Sequence, residues 1–338
     1  MKQRRAAIAG VYQSRQGDLS EEHQPMLWFE AATRACADAG MTLADVDGVV
    51  GPAPTGVGIR DKLPGSALGY DLLGKPLRFH ALNTMGAGSG AGAVNLAAYA
   101  VSAGLAEAVL VVTAAAGDAE GYAGADRDSV VRSLAKLSGP YEYIYGTTRV
   151  ADYAVLAMRH FHEFGTTSSQ LAEVAVVQRE AAILHPLSVH GHRGPLTVDD
   201  VLASRMIADP LHLLDCCAIN QGAGAYVVTT LERARDTDHT PIELLGYGEG
   251  HNHLDPNSAP SLAVFEGARI AADTAFDLAD VGREDIGVVG IGDHFTINVL
   301  LGLESAGFCD IGESGPFVES GALRLDGRLP TNTSGGFL

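Results

Sequence analysis

The chain has 338 residues, with 23 basic against 41 acidic side chains and a formal charge of −18. Such a surface repels nucleic-acid phosphates and anionic lipid, so neither is expected as a partner. Hydrophobic residues make up 46% and charged residues only 19%, which fits an α/β chain of two domains, or one large duplicated one, packed closely through small side chains. Net charge describes the whole surface, and a local Lys/Arg pocket for a phosphorylated ligand is still allowed.

In chain order, AAIAGVYQS reads as an apolar strand. PMLWFEAATRACADAG follows with apolar residues at helical spacing, closed by Gly40, and TLADVDGVVG returns to a strand. The opening MKQRRAAIAGVYQSRQG has an apolar run far short of a signal segment or of the roughly 20 residues a membrane span needs. NTMGAGSG at 83–90 opens a helix that continues AGAVNLAAYAVSAG before a strand, AVLVV. A loop and helix insertion then runs over about 118–200. Its second part reads as a helix with Tyr153, Leu156, Ala157 and Phe161 on one face, preceded by the loop GPYEYIYG, from which Tyr143 and Tyr145 could reach a site. Excursions of this kind often cover active sites.

The stretches ACADAGMTLADVDGVVG (35–51) and AADTAFDLADVGREDIGVVG (271–290) share LADV and GVVG, an internal repeat roughly 240 residues apart. A period that long implies a duplicated α/β unit, because solenoid periods run roughly 20–50 residues. After the second copy, DIGVVGI reads as a strand and GDHFT as a strand-to-helix junction. His294 is the candidate general base, with Asp293 to orient it or raise its pKa; the alternative is that His294 is structural and Asp293 caps the following helix. His251 and His253 in GYGEGHNHLDPNSAP form an H-x-H pair without a third ligand, so no metal is expected. Asn332 on the loop NTSGG orients a carbonyl or shapes the turn. Cys36, Cys216, Cys217 and Cys309 have no C-x-x-C spacing, which fits a reduced cytoplasmic setting.

DVLASRMIADPLHLLDCCAINQGAGAYVV (200–228) resembles the middle signature of the sterol-carrier-protein type of thiolase, in which a D-C-C stretch leads into the last core strand of the first half. MRHFHEFGTTSSQLAEVAVVQREAAILHPL, GDHFTINVLLGLESAGFC and GESGPFVESGALRLDGRLPTNTSGGFL match the same family in order, so the resemblance runs from about residue 6 to 338. It implies the thiolase fold, a five-layered α-β-α-β-α arrangement of two homologous halves: 1–235 with the insertion, and 236–338, apparently truncated. It also implies a homodimer.

The same resemblance places the thiolase nucleophilic cysteine on Ala87, followed by Gly88, Ser89 and Gly90, so the nucleophile is missing. In the histidine–aspartate–cysteine motif of thiolases, Gly292 and His294 replace the histidine and the cysteine, and Gly292 also departs from the tyrosine of the aldolase branch. The branch lacking the cysteine resembles the lipid-transfer-protein aldolase subunits of steroid side-chain degradation. That implies retro-aldol cleavage of a β-hydroxyacyl-CoA to a ketone and a shorter acyl-CoA. Coenzyme A would then be part of the substrate, with no covalently bound cofactor, and Ala87 to Gly90, Tyr145, His251 and Asn332 would bind substrate or its oxyanion. A small zinc-ribbon/OB-fold partner protein is a further implication. Two alternatives stay open: a non-catalytic thiolase-like subunit that holds an acyl-CoA, and an acetyl-CoA acyltransferase.

Overall fold

The computed structural model describes residues 4–52, 73–83, 89–115, 148–218, 220–253 and 258–338. The elements are β1 (Ala6–Gln13), α1 (Gln24–Asp38), β2 (Gly48–Pro52), β3 (Phe79–Asn83), α2 (Ser89–Ser102) and β4 (Ala108–Ala115). Then come α3 (Arg149–Phe164), α4 (Ser168–Leu184), α5 (Val198–Ala203), β5 (Met206–Ala208), β6 (Leu211–His212), β7 (Gly222–Thr230), α6 (Leu231–Ala234) and β8 (Ile242–Glu243). The last are α7 (Glu266–Ala279), α8 (Thr296–Ser305) and α9 (Ser314–Glu319). The chain packs as two compact units, one of residues 1–125 with 220–245, the other of 126–219 with 246–338. The sequence reading divides the chain at 235/236 along the duplication, whereas packing groups most of the insertion with the carboxy-terminal stretch.

Unit one is built on a six-stranded mixed sheet in the order β3-β2-β4-β7-β1-β8. β2 runs parallel to β3 and β4, and β7 runs antiparallel to β4 and β1. β7 is the strand that the D-C-C signature leads into, as the sequence reading expects. α1 starts with Pro at its first turn and buries Leu27, Ala31, Ala32, Ala35 and Cys36, the 3.6-residue stripe of a helix lying on a sheet. Gly40, at φ +63°, ends it. The helix lies so close to β1 that a side chain at Gly10 would meet the Ala35 carbonyl at 2.4 Å. The core is largely alanine and valine, and small side chains allow this approach.

Unit two is mainly helical among its described residues. α3 starts at Thr148, whose hydroxyl accepts the Ala151 N–H, and ends at Gly165, φ +74°. It buries Ala154, Leu156, Ala157 and His160, with Tyr153 and Phe161 packed at the margin of the core. α4 begins with a Thr167–Gln170 capping box and is buried on most of its circumference, as is α8. DIGVVGI does not form the strand the sequence leads one to expect. Val289 makes a single parallel bridge to Thr331, and Val288 is exposed. In the first copy β2 is flanked by β3 and β4, and a ladder on both sides fixes an extended chain; the second copy has this one bridge among the described residues. Likewise α1 lies across β1, β7 and β4, whereas α7 has no buried residue. No helix among the described residues is long and apolar enough to cross a membrane.

Candidate active site

Asp293 and His294 sit at the entrance to α8, where Phe295 occupies the N-cap position. The backbone of this turn is fixed by the D-C-C segment, since Cys216 and Phe295 form an antiparallel bridge and the Cys217 N–H donates to the His294 carbonyl at 2.9 Å. Behind it lies Asp215, 2% exposed. Its carboxyl accepts the Thr296 hydroxyl at 2.9 Å and the His212 N–H at 2.8 Å. Burial raises the Asp215 pKa, while those hydrogen bonds pull it down. Tyr153 of α3 stacks on Phe295 with ring centroids 4.6 Å apart, so the insertion helix braces the same turn.

Asp293 is 1% exposed. Its carboxyl accepts the N–H of Phe337 at 2.8 Å and of Leu338 at 3.4 Å, and it makes no hydrogen bond to His294. Burial pushes its pKa up to about 6, with the backbone N–H groups opposing the rise. The loop it holds is NTSGGFL. Asn332, at φ +51°, accepts the Ile291 N–H and donates to the Ile291 carbonyl, both at 2.8 Å. It thereby pairs with that residue much as a neighbouring strand would. With the Gln178 amide oriented by its surroundings, its nitrogen donates to the Gly335 carbonyl (3.1 Å) and Asp293 (3.2 Å), and its oxygen accepts from Asn332 (2.9 Å). Gly336, φ +64°, leaves the space in which the carboxylate lies: a side chain there would meet Asp293 Oδ2 at 1.9 Å.

His294 is half-buried, and desolvation holds its pKa below the ordinary value. Its Nδ1 is buried without a hydrogen-bond partner, and its ring lies 5.1 Å from that of Phe337. A neutral imidazole beside an apolar ring can accept a proton near neutral pH. His251 is exposed, 3.6 Å from Glu249, and His253 carries a buried, unpartnered Nδ1. No group of three or more potential metal ligands occurs among the described residues. Ser89 and Gly90 form the first turn of α2 in unit one, and a side chain at Gly90 would meet nothing within 4 Å. Ala87, Gly88, Tyr143 and Tyr145 lie outside the described residues.

The four cysteines are not in disulfides, and burial disfavours the thiolate form of each. Burial pushes Cys36 up to about 11, and burial with neighbouring carboxylates pushes Cys216 and Cys309 up to about 12. Cys217 is raised by burial and by Asp293. Only a thiolate attacks a thioester efficiently.

Sequence reasoning missed Gln178 and Phe337. Gln178 carries no motif signal, and Phe337 reaches His294 only because Gly335 and Gly336 turn the chain. Asp215 lies inside the quoted signature but was not singled out, since an Asp before two cysteines gives no hint of a threonine 81 residues away.

Residues 248–338 match the family described as thiolase C-terminal domain-like. The chain is 35% identical to a steroid side-chain-cleaving aldolase of Thermomonospora curvata over 98% of its own length and 85% of that protein. It is 31% identical to an acetyl-CoA acetyltransferase of Methanothermobacter thermautotrophicus, over 98% of the chain and 85% of that protein. Among solved structures, the Ltp2-ChsH2(DUF35) aldolase superposes with a TM-score of 0.85 at 33% identity, over 99% of this chain and 85% of that one. The D-C-C segment bracing the turn before α8 and these similarities over nearly the whole chain agree: the chain has the thiolase fold and belongs to the sterol-carrier-protein-thiolase-like branch of the thiolase superfamily.

Proposed function

We propose that the chain is a carbon–carbon lyase that cleaves a β-hydroxyacyl-CoA by a retro-aldol reaction, with a steroid side chain as the acyl group. The observation that carries this over acyl transfer is the similarity to a steroid side-chain-cleaving aldolase over nearly the whole chain, supported by Ala87 where the family resemblance puts the thiolase cysteine and by burial that disfavours the thiolate of each of the four cysteines. A retro-aldol cleavage needs no covalent thioester. In the proposed step His294 takes the β-hydroxyl proton, the carbonyl forms as the Cα–Cβ bond breaks, and the electron pair passes to the thioester as an enolate. The enolate then takes a proton at Cα, returned from the imidazolium, giving the shorter acyl-CoA and leaving the base as it began. The oxyanion needs N–H donors, and on the family resemblance Ala87, Gly88, Ser89 and Gly90 remain the proposed oxyanion-binding residues. Tyr145 and His251 remain proposed substrate contacts, and Asn332 a proposed shaper of the site through Ile291. Asp293 acts in this scheme by anchoring the loop that carries Phe337.

The resemblance to an aldolase solved with a DUF35 protein supports a small partner subunit; a homodimer is proposed from the family resemblance, and a cytoplasmic setting from the cysteine spacing. A second reading keeps the fold and drops the chemistry, a subunit that holds an acyl-CoA for a catalytic partner. It is favoured by one observation, that nothing orients the His294 Nδ1. Mass spectrometry after incubation with a steroid β-hydroxyacyl-CoA, and separately with acetyl-CoA, tests both. Release of a ketone and a shorter acyl-CoA without a protein adduct is expected. A covalent acyl adduct would overturn the lyase, and absence of turnover with the partner present would leave the binding subunit.

A further inference from the structure

We propose that Arg179, His190, His192 and Arg193 form a phosphate-binding site that takes a phosphate group of the coenzyme A ester, its occupant resting on the lyase reading. Arg179 lies on α4. After the helix ends at His185, the chain folds back over its last turns. Gly191 lies so close that a side chain there would meet the Ala182 carbonyl at 2.3 Å, and Arg179 donates to the Gly194 carbonyl at 3.4 Å. His190, His192 and Arg193 lie on this return, between and beside those two contacts, and within electrostatic reach of the Arg179–His190 pair.

The arrangement makes little sense as a packing device alone. Arg179 is 6% exposed, its Nε is buried without a partner, and neither it nor Arg193 forms a salt bridge among the described residues. The neighbouring Glu173 and Glu180 are instead held by Arg324. A buried guanidinium without a carboxylate is costly unless an anion completes it. In a chain of net charge −18, two guanidiniums without an ion-paired carboxylate among the described residues are a local reversal of sign. Burial lowers the Arg179 pKa first and Arg193 adds to it. His190 is lowered by burial and then by Arg193, Arg179 and His192, so at neutral pH it serves as an uncharged hydrogen-bonding ring. Two guanidiniums with flanking imidazoles suit the tetrahedral oxygens of a phosphate better than a planar carboxylate pair.

The cluster and the loop beside His294 rest on the same part of α4. Gln178, the residue before Arg179, touches Asp293 and Asn332, and Ala182 packs against Gly335 as well as Gly191. The same turns of α4 therefore carry the cationic loop and support the loop beside His294.

The test is calorimetric titration of the full chain and its Arg193→Gln variant with coenzyme A, with pantetheine and with inorganic phosphate. Arg193 is exposed, so its replacement leaves the fold intact; Arg179→Gln is the second variant. The expected result is a loss of about tenfold or more in coenzyme A affinity in R193Q, the scale of one charge-assisted hydrogen bond, with pantetheine affinity unchanged and inorganic phosphate competing with coenzyme A. Equal coenzyme A affinity in wild type and R193Q would overturn the site. So would phosphate binding that coenzyme A does not displace, which would assign the cluster to free phosphate. Coenzyme A binding at this cluster without any cleavage would sink the lyase and spare the site; cleavage with R193Q indifferent to the phosphates would do the reverse.

Discussion

Replacing Asp293 by Asn gives the most direct test of how the turn before α8 is held. The carboxyl is 1% exposed and its pKa rises from the ordinary 3.8 to about 6, burial being the main cause. Because the folded value lies above the unfolded one, the neutral acid is favoured on folding. The stability it contributes is fully present below about pH 3.8 and is lost as the pH rises through about 6. A rise of this size corresponds to about 3 kcal/mol, an order of magnitude for a fully buried group. Asn keeps an oxygen to accept from Phe337 and Leu338 and has no charge to bury. D293N should therefore gain stability relative to wild type by up to about 3 kcal/mol between pH 4 and pH 8, less any strain in its hydrogen bonds. Urea unfolding of both proteins across that range isolates the effect, since every other titrating group cancels in the difference. A wild-type-minus-variant difference that stays flat from pH 4 to pH 8 would refute the assignment of a buried, proton-binding carboxyl.

Gly336→Ala should destabilise the chain by about 1–3 kcal/mol, from a left-handed backbone and a methyl group set against Asp293; an unchanged urea midpoint would show that the NTSGGFL loop is not packed this way. Glu304 accepts from His160 Nε2 at 3.1 Å and from the Ser314 N–H at 3.1 Å in a cluster where His160 is fully buried. Burial works to raise the Glu304 pKa, but the His160 and Ser314 hydrogen bonds outweigh it and the net shift is downward. Its stabilisation is thus present above the ordinary carboxylate range and is lost as pH falls through the depressed folded value. Glu304→Ala should cost about 1–3 kcal/mol or more at pH 7 by leaving the buried His160 Nε2 and Ser314 N–H without their acceptor, with the gap to wild type narrowing in acid. His294→Gln should lower kcat by about 10² to 10⁴, and the acid limb of wild-type kcat/KM should fall below pH 6.5 because desolvation lowers the imidazole pKa; a limb above that value would point to another base.

Unit one was largely legible in the sequence because its signals are local. Pro25, the Leu27–Ala31–Ala35 stripe and Gly40 delimit α1, and the apolar run AVLVV is β4. The duplication was legible too, as paired LADV and GVVG segments, but the second GVVG does not become a ladder strand. Whether an apolar run pairs depends on what lies beside it, and that is not written in the run. At the site, the turn carrying Asp293 and His294 was found from its motif, whereas the target of the Asp293 carboxyl was not. Adjacency in sequence suggested that Asp293 serves His294. The chain bends at His294, and here the aspartate accepts from the Phe337 and Leu338 N–H groups beyond the Gly335–Gly336 turn.

That division of labour bears on the chemistry. A carboxylate bonded to the imidazole would raise its pKa and fix its tautomer; His294 has no such partner, and burial lowers its pKa instead. A base of this kind is uncharged at neutral pH and pulls weakly on a proton. It suits a reaction in which the departing enolate, rather than a strong base, drives cleavage, and it suits poorly the activation of a thiol that burial holds above its ordinary pKa. Desolvation is the common cause of both shifts: it raises the pKa of the four thiols and lowers that of the imidazole, and in each case the neutral form is the one favoured.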